Sequence, residues 1–135
     1  MKTIQSLKGR NLFKEVYQRG RKIEDTGIRV FILKSSRSKY VKPDNSPDTS
    51  NRSKNIRIGI ALTKSFGKAY IRNKAKRRIR AIYSELSNEL REGFCIIIRI
   101  DSDFKNLMHQ EEKRIIRSLF ERAGLLNGDA HTSIQ

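Results

Sequence analysis

Six basic side chains fall within the nine residues from Arg72 to Arg80, in the stretch AYIRNKAKRRIRAIYSEL that begins at Ala69. Lysine binds phosphate groups as a point charge, and arginine adds paired hydrogen bonds. No Asp or Glu occurs from Ser65 through Tyr83, so these cations have no acidic partner nearby in the sequence. The pattern predicts the binding of a polyanion.

The same stretch has the spacing of a helix with one apolar face. Its apolar residues recur at steps of three and four, and they are Ile71, Ala75, Ile79, Ile82, Leu86 and Leu90. We predict a helix from about Tyr70 to Glu92, stopped by Gly93. The cations lie near its N-terminus, where the backbone dipole disfavours positive charge. Because this placement lowers local helix stability, it favours an anion site over a merely solvated charged face.

The composition supports a nucleic-acid partner. The chain has 135 residues, with 30 Lys plus Arg against 14 Asp plus Glu, a formal net charge of +16. A polyanion would offset the resulting self-repulsion, and nucleic acid is a better candidate than an anionic membrane surface. No apolar run approaches the ~20 residues of a spanning helix, and no apolar N-terminal segment indicates a signal peptide. We therefore expect a cytoplasmic protein with no membrane partner.

The single cysteine, Cys95, lies in the apolar run FCIIIRI. One cysteine cannot form an internal disulfide, which fits a reducing cytoplasm. Because free cysteine packs as a small hydrophobic residue, we predict a buried strand position and not a reactive thiol.

The remaining elements indicate one α+β domain over residues 1–135. Helices are predicted over Arg10–Gly20 and His109–Gly124, on either side of strands at Ile28–Ser35, Ile56–Thr63 and Phe94–Ile100. The first two strands are expected to pair as antiparallel neighbours. A polar segment with both prolines, residues 36–55, is predicted as a flexible loop, and residues 125–135 as a frayed tail.

The stretch ALTKSFGKAYIRNKAKRRIRAIYSEL closely resembles the signature region of the protein subunit of bacterial ribonuclease P. In that family a Lys-x-x-Gly-Asn-Ala turn leads into Arg-Asn-Arg-x-Lys-Arg-x-x-Arg. The resemblance extends to LKGRNLFKEVYQRG near the start and to RSLF in the last helix. Two positions depart from the family pattern: Lys74 stands at its usual Arg and Lys68 at its usual Asn.

The resemblance implies a fold and an activity. The fold would be a small two-layer α/β sandwich, with a four-stranded sheet, three helices and a left-handed βαβ crossover, like a domain of a ribosomal protein. The catalytic RNA subunit would carry out Mg²⁺-dependent endonucleolytic removal of the 5′ leader from precursor tRNA. The protein would hold the single-stranded leader and promote metal-ion binding, the metal being held mainly by the RNA subunit and the substrate.

The resemblance also assigns two sets of residues. The positions that face the RNA subunit would be Arg72, Asn73, Lys74, Lys76, Arg77 and Arg80. The positions that bind the leader would be Phe13, Tyr17, Arg29, Phe31, Lys64 and Ser65. From the residues alone, the helical spacing favours plain core for the three aromatics, although aromatics beside cations suit the stacking of successive bases. The resemblance favours the leader-binding role. We expect them to be partly exposed, on a surface distinct from the basic helix.

The sequence offers no protein catalytic site and no metal site. A protein nuclease needs a general base, a metal cluster or an activated nucleophile. His109 and His131 are predicted surface residues, and Asp101 and Asp103 stand where a helix N-cap is expected. The alternatives are a ribosomal or other structural RNA-binding protein, and a DNA-binding architectural protein. The latter is disfavoured, because the basic helix is flanked by strands and not by a helix-turn-helix partner.

Overall fold

A computed structural model describes residues 4–25, 27–40, 56–63, 67–101 and 109–126 of the chain. The helices are α1 (Arg10–Arg19), α2 (Ala69–Glu85) and α3 (His109–Arg122). The strands are β1 (Ile4–Ser6), β2 (Arg21–Asp25), β3 (Ile28–Lys34), β4 (Ile56–Leu62) and β5 (Phe94–Ile100). Within these ranges, no helix is long and apolar enough to cross a membrane.

The strands form one mixed sheet in the order β1-β4-β5-β3-β2. Strand β4 is parallel to both β1 and β5, whereas β3 is antiparallel to β5 and to β2. The α+β class is confirmed, but the predicted count of four strands is wrong, since the sheet has five. The pairing of β3 with β4 is also wrong: α2 returns the chain so that β5 lies between them. The left-handedness of the β4-α2-β5 crossover stays a prediction.

Strand β5 is the centre of the molecule, as its continuous apolar run predicts. Residues Cys95 through Ile98 are fully buried, because helices cover both faces of the sheet. One face carries α2 and α3, with Ile79, Ile82, Leu119 and Phe120 packed on the strands. That face supplies the larger core.

The opposite face is covered by α1. Leu12 and Val16 of this helix pack on Phe31, Leu33, Cys95 and Ile97. Cys95 is fully buried, as predicted, and its Sγ lies 3.7 Å from the Ser35 Oγ. Burial raises the pKa of this thiol, which makes it a packing residue and not a nucleophile.

Helix α2 ends earlier than the periodicity predicts. It stops at Glu85, and a 3₁₀ turn over Ser87–Glu89 follows. The apolar pattern nevertheless continues, because Leu86 and Leu90 remain buried in the same core. Leu90 lies beyond the end of α2, so it is buried by a tertiary contact and not by its spacing on the helix.

The two segments predicted to be mobile are partly fixed. Leu125 and Leu126 are buried, and Leu126 forms an antiparallel bridge with Leu90, so the tail is not frayed at these two positions. At the start of the 36–55 loop, Ser38 and Lys39 donate hydrogen bonds to the Glu15 carboxylate. Residues 41–55 and 127–135 lie outside the described ranges.

Candidate nucleic-acid interface

The predicted cations lie on the solvent side of α2, from its first turn to Arg80. Ala75 and Ile79 are buried on one side of the helix, while Asn73, Lys74, Arg77 and Arg80 are exposed and Arg72 and Lys76 are partly exposed. Lys68, at the N-cap, makes no capping hydrogen bond through its side chain, and no acid lies in the first turn. The free amides and the positive end of the helix dipole therefore lie beside Arg72, whereas Lys76, Arg77 and Arg80 continue along the helix beyond its first turn.

Arg78 differs from the other cations of α2 because, among the described residues, it has an acidic partner. Its guanidinium donates two hydrogen bonds to Glu112 of α3, at 3.1 and 3.0 Å, and the Glu112 side chain is completely buried. This bidentate pair joins the two helices. Arg78 thus has a structural role, which agrees with its absence from the predicted RNA-binding set.

The acids at the C-terminal end of α2 are explained by α3. Lys113 Nζ lies 3.0 Å from Glu85 Oε1, and Arg117 donates two hydrogen bonds to Glu89, at 2.8 and 3.1 Å. These hydrogen bonds with Glu89 raise the pKa of Arg117. Glu85, the last residue of α2, and Glu89, in the 3₁₀ turn that follows, are therefore ion-pair partners of α3. Among the described residues, the exposed cations of the N-terminal half of α2 have no such acidic partner.

The three predicted aromatics form a continuous cluster between α1 and the sheet. The ring centroids of Phe13 and Tyr17 are 6.4 Å apart, and those of Tyr17 and Phe31 are 4.7 Å apart in an edge-on contact. Phe13 and Tyr17 are partly exposed, in agreement with a ligand-binding surface, but Phe31 is only 9% exposed. The expectation of an exposed Phe31 is wrong: it forms the floor on which Tyr17 rests.

A glycine allows Phe13 to approach the sheet. A Cβ added at Gly59 of β4 would lie 2.4 Å from the Phe13 Cζ. No side chain larger than hydrogen fits there without moving the ring. Gly59 is therefore part of the way in which the sequence positions this aromatic residue.

Two arginines follow the aromatic cluster along the same face of the sheet. Arg29 of β3 lies directly opposite Arg99 of β5, and alternate residues of a strand share a face, which places Arg29 beside Phe31. Arg29 pairs with Glu24 at 3.1 Å, whereas Arg99 has no ion pair within the described ranges. Like charges placed directly opposite each other destabilise a sheet. Arg99 was not among the predicted residues, because a single charge inside an otherwise apolar run gives no sequence signal.

A groove joins the aromatic cluster to α2. Strand β1 ends at Ser6, and the Leu7 N–H donates to the Ile58 carbonyl. Beyond this point, no strand among the described residues pairs with this edge of β4. The groove there has a volume of about 160 Å³, and Phe13, Lys76 and Arg80 all line it. The expectation of two separate surfaces is therefore wrong, because the basic helix and the aromatic cluster meet at this edge.

Several predicted residues lie outside the described ranges, among them Lys64 and Ser65 of the leader-binding set, Asp103 and His131. Asp101 is described, and its backbone N–H donates to the Gly27 carbonyl at 2.8 Å. Helix α3 begins at His109. The described part of the chain contains no group of three His, Cys, Asp or Glu side chains that could hold a metal ion.

Comparison with known families supplies the remaining evidence. Residues 1–124 match the family model described as Ribonuclease P. The chain belongs to the ribonuclease P protein family. The ribonuclease P protein component of Symbiobacterium thermophilum is 32% identical over 126 residues, which cover 93% of this chain and 96% of that protein. That of Bacillus cereus strain Q1 is 27% identical over 125 residues, with 93% and 96% covered.

Solved structures of ribonuclease P proteins have the same fold. The Staphylococcus aureus protein superimposes with a TM-score of 0.72 at 19% identity, covering 90% of this chain and 97% of that one. The Thermotoga maritima protein gives 0.67 at 21% identity, covering 87% and 96%. The chain is thus a protein subunit of ribonuclease P, a ribonucleoprotein that processes tRNA. This decides against the alternative of a ribosomal protein without a nuclease role.

Proposed function

We propose that this ribonuclease P protein assists a catalytic RNA subunit in the endonucleolytic removal of the 5′ leader from precursor tRNA, in the cytoplasm. In this proposal α2 binds the RNA subunit and the face of the sheet beside α1 binds the single-stranded leader. One observation carries it: Lys76 and Arg80 of α2, which have no acidic partner among the described residues, meet Phe13 of the aromatic cluster in a shared groove.

The contact with the RNA subunit uses the side chains on the exposed arc of α2, namely Arg72, Asn73, Lys74, Lys76, Arg77 and Arg80. Phosphate oxygens at the N-terminus of α2 would accept hydrogen bonds from the free amides and from Arg72 together. Phosphates farther along the helix would meet Lys76, Arg77 and Arg80. Lys74 contributes charge without the paired geometry of arginine. Contacts to RNA phosphates do not depend on the base sequence, so they suit recognition of a folded RNA by its shape.

The leader contact uses stacking and charge without reading bases. Phe13 and Tyr17 offer exposed ring surface, Phe31 supports Tyr17 from below, and Arg29 and Arg99 follow along the same face. Every base has a flat face, so such a surface accepts different leader sequences. Lys64 and Ser65 belong to this proposed contact by resemblance to the family.

Catalysis in this proposal belongs to the RNA subunit. Mg²⁺, held mainly by that RNA and by the substrate, would activate the attacking water and stabilise the leaving oxygen. The protein binds the leader through one contact and the RNA subunit through the other, and the scissile phosphate lies between these two contacts. Because binding energy gathered at these contacts orders the substrate, less of the ordering is left to the metal ions.

Reconstitution tests this function directly. The purified chain, mixed with the RNA subunit from the same genome, should allow cleavage of precursor tRNA at a Mg²⁺ concentration where the RNA alone is slow. The products should be mature tRNA and an intact leader. If cleavage at low Mg²⁺ is equal with and without the protein, the proposed assistance is wrong.

The α2 contact predicts a specific salt dependence. Each phosphate contact contributes about 0.7–0.9 to the slope of log affinity against log salt concentration. The double variant Arg77→Gln/Arg80→Gln should therefore lower this slope by about 1.4–1.8 for the RNA subunit. Arg114→Gln, on the exposed side of α3, is the control for loss of charge. An unchanged slope in a folded double variant contradicts the assignment.

A further inference from the structure

A second cationic cavity lies at the end of the sheet where β3 finishes and β5 begins, opposite the end that carries Arg29 and Arg99. It has a volume of about 250 Å³ and is lined by Arg19, Arg21, Lys34 and Arg37. Its apolar floor includes Phe94 of β5, which stands opposite Lys34 in the sheet register. Among the described residues, no carboxylate lines this cavity. We call it the Lys34 site.

Two of its four cations have structural partners. Arg19 pairs with Glu15 at 2.9 Å, and the Arg21 guanidinium donates to the Arg122 carbonyl at 3.4 Å. Both stand beside helix C-termini, where positive charge is favourable. Lys34 and Arg37 differ, since neither makes a hydrogen bond through its side chain or an ion pair within the described ranges, although both are exposed. Their charges are therefore available to a ligand.

The Lys34 site lies at the opposite end of the sheet from Arg29 and from the N-terminus of α2. Lys34 is five residues along β3 from Arg29, a distance of roughly 17 Å. The N-terminus of α2 lies toward the Arg29 end, because β4 runs parallel to β5 and finishes opposite Ile100. A ligand at the Lys34 site would thus be remote from Arg29 and from the N-terminus of α2. On the side of α1, Leu33 of the cavity lining packs in the same apolar cluster as Phe31 and Tyr17.

We propose that the Lys34 site binds a nucleotide segment of RNA, with Lys34 and Arg37 on its phosphates and a base against Phe94. Cations around a partly exposed aromatic ring are the arrangement that binds single-stranded nucleic acid. A concave cavity suits this ligand better than a membrane surface, which needs apolar side chains that project from a helix face. The proposal rests on the proposed function, in which the chain assembles with RNA.

Salt titrations of the full-length protein with the RNA subunit test the charged half of the site. Lys34→Gln/Arg37→Gln should lower the slope of log affinity against log salt by about 1.4–1.8. Lys8→Gln/Arg114→Gln removes the same charge from exposed positions elsewhere and should change it much less. Equal losses in the two double variants overturn the proposal, because net charge alone would then explain them.

The Arg77→Gln/Arg80→Gln variant distinguishes a failure of the Lys34 site from a failure of the proposed function. If Arg77→Gln/Arg80→Gln lowers the slope while Lys34→Gln/Arg37→Gln does not, the Lys34 site is wrong and the proposed function stands. If neither variant lowers it, the α2 contact of the proposed function is wrong as well. Loss of binding to phosphatidylserine vesicles, with RNA binding unchanged, would assign the site to a membrane and overturn the RNA proposal.

Phe94 tests the stacking half. Phe94→Leu should weaken RNA-subunit binding about fivefold or more, whereas Phe94→Tyr, which retains the ring, should bind as the native protein does. Melting curves of both variants establish that the fold is intact. Equal affinities of the leucine and tyrosine variants would show that no base rests on this ring.

Discussion

At the scale of the residue, Tyr17 decides whether the aromatic cluster binds RNA or only completes a core. Its ring is partly exposed and rests edge-on against Phe31, at 4.7 Å. If a leader base stacks on it, Tyr17→Ala should weaken precursor tRNA binding by about 1–3 kcal/mol. Mature tRNA, which lacks the leader, should bind as before. The ratio of the two affinities is the measurement, with Tyr40→Ala, 51% exposed, as the control.

A core residue behaves differently. Truncation of a buried aromatic costs about 3–5 kcal/mol of folding stability and damages all activities alike. Phe31, at 9% exposure, should follow this second pattern in Phe31→Ala. If Tyr17→Ala also lowers the melting temperature while the affinity ratio is unchanged, Tyr17 belongs to the core and the leader contact must lie elsewhere.

The site residues that sequence could identify are those with a local pattern. The cations of α2 are visible because they are dense and lack acids, and Phe13 and Tyr17 because they are four apart on a helix. Arg99 has no such signal: it is one charge in FCIIIRI, and only the register opposite Arg29 shows its place. The burial of Phe31 likewise depends on α1 covering the strand.

At the scale of the element, the contact between α2 and α3 includes an ion pair whose acid, Glu112, is buried. Glu112→Ala would leave Arg78 without its acceptor and should cost about 3 kcal/mol of unfolding free energy. This is the lower end of the range for buried pairs, because the Arg78 side chain keeps 30% exposure. Urea unfolding measures it. The control is Glu85→Gln in the exposed pair with Lys113, expected below about 1 kcal/mol. Equal losses would show that burial of the pair is unimportant.

The attachment of residues 38–40 to α1 should depend on pH. Burial by itself raises the pKa of Glu15, but hydrogen bonds from the Lys39 N–H, Ser38 and Arg19 outweigh it, and the net pKa is lowered. A lowered folded-state pKa gives stability above the ordinary value of 4.5, which is lost as pH falls through the folded value. Glu15→Gln should therefore be less stable than the native chain at pH 7 and approach it in acid. A stability difference that is independent of pH contradicts this.

The strands show what sequence could and could not predict. β3, β4 and β5 are rich in β-branched residues, and all three were predicted close to their bounds. β1 has three residues, and β2, RKIED, has one apolar side chain, because edge strands are short and charged. Neither has a pattern to detect. The order of the strands was missed for another reason: adjacency in sequence favours β3 beside β4, whereas the crossover through α2 inserts β5.

At the scale of the whole molecule, the meeting of the two RNA surfaces was beyond prediction. Phe13 and Arg80 belong to different helices on opposite faces of the sheet, yet both line one groove. They meet because β1 is short: within the part of the chain that the structure describes, no strand pairs with this edge of β4 beyond Ile58. The length of an edge strand, and not the composition of either surface, makes the two contacts continuous.

The net charge of +16 belongs to the whole molecule and gives the last prediction. Self-repulsion destabilises the isolated chain when salt is low, because the Debye length is about 30 Å at 0.01 M but about 10 Å at 0.1 M. Raising NaCl across this interval should therefore raise the melting temperature of the protein alone. The same change should weaken its complex with the RNA subunit, since released counterions drive that association.

The two effects have opposite signs, and one set of thermal scans measures both. The stabilisation given by bound RNA, which depends on the ratio of free RNA to the dissociation constant, should shrink as salt rises. A neutral osmolyte at matched osmolality is the control, because it leaves charge screening unchanged. If the isolated chain melts at the same temperature throughout, its cations are already offset within the fold. The exposed arc of α2 would then be a solvated face and not a surface whose charge RNA neutralises.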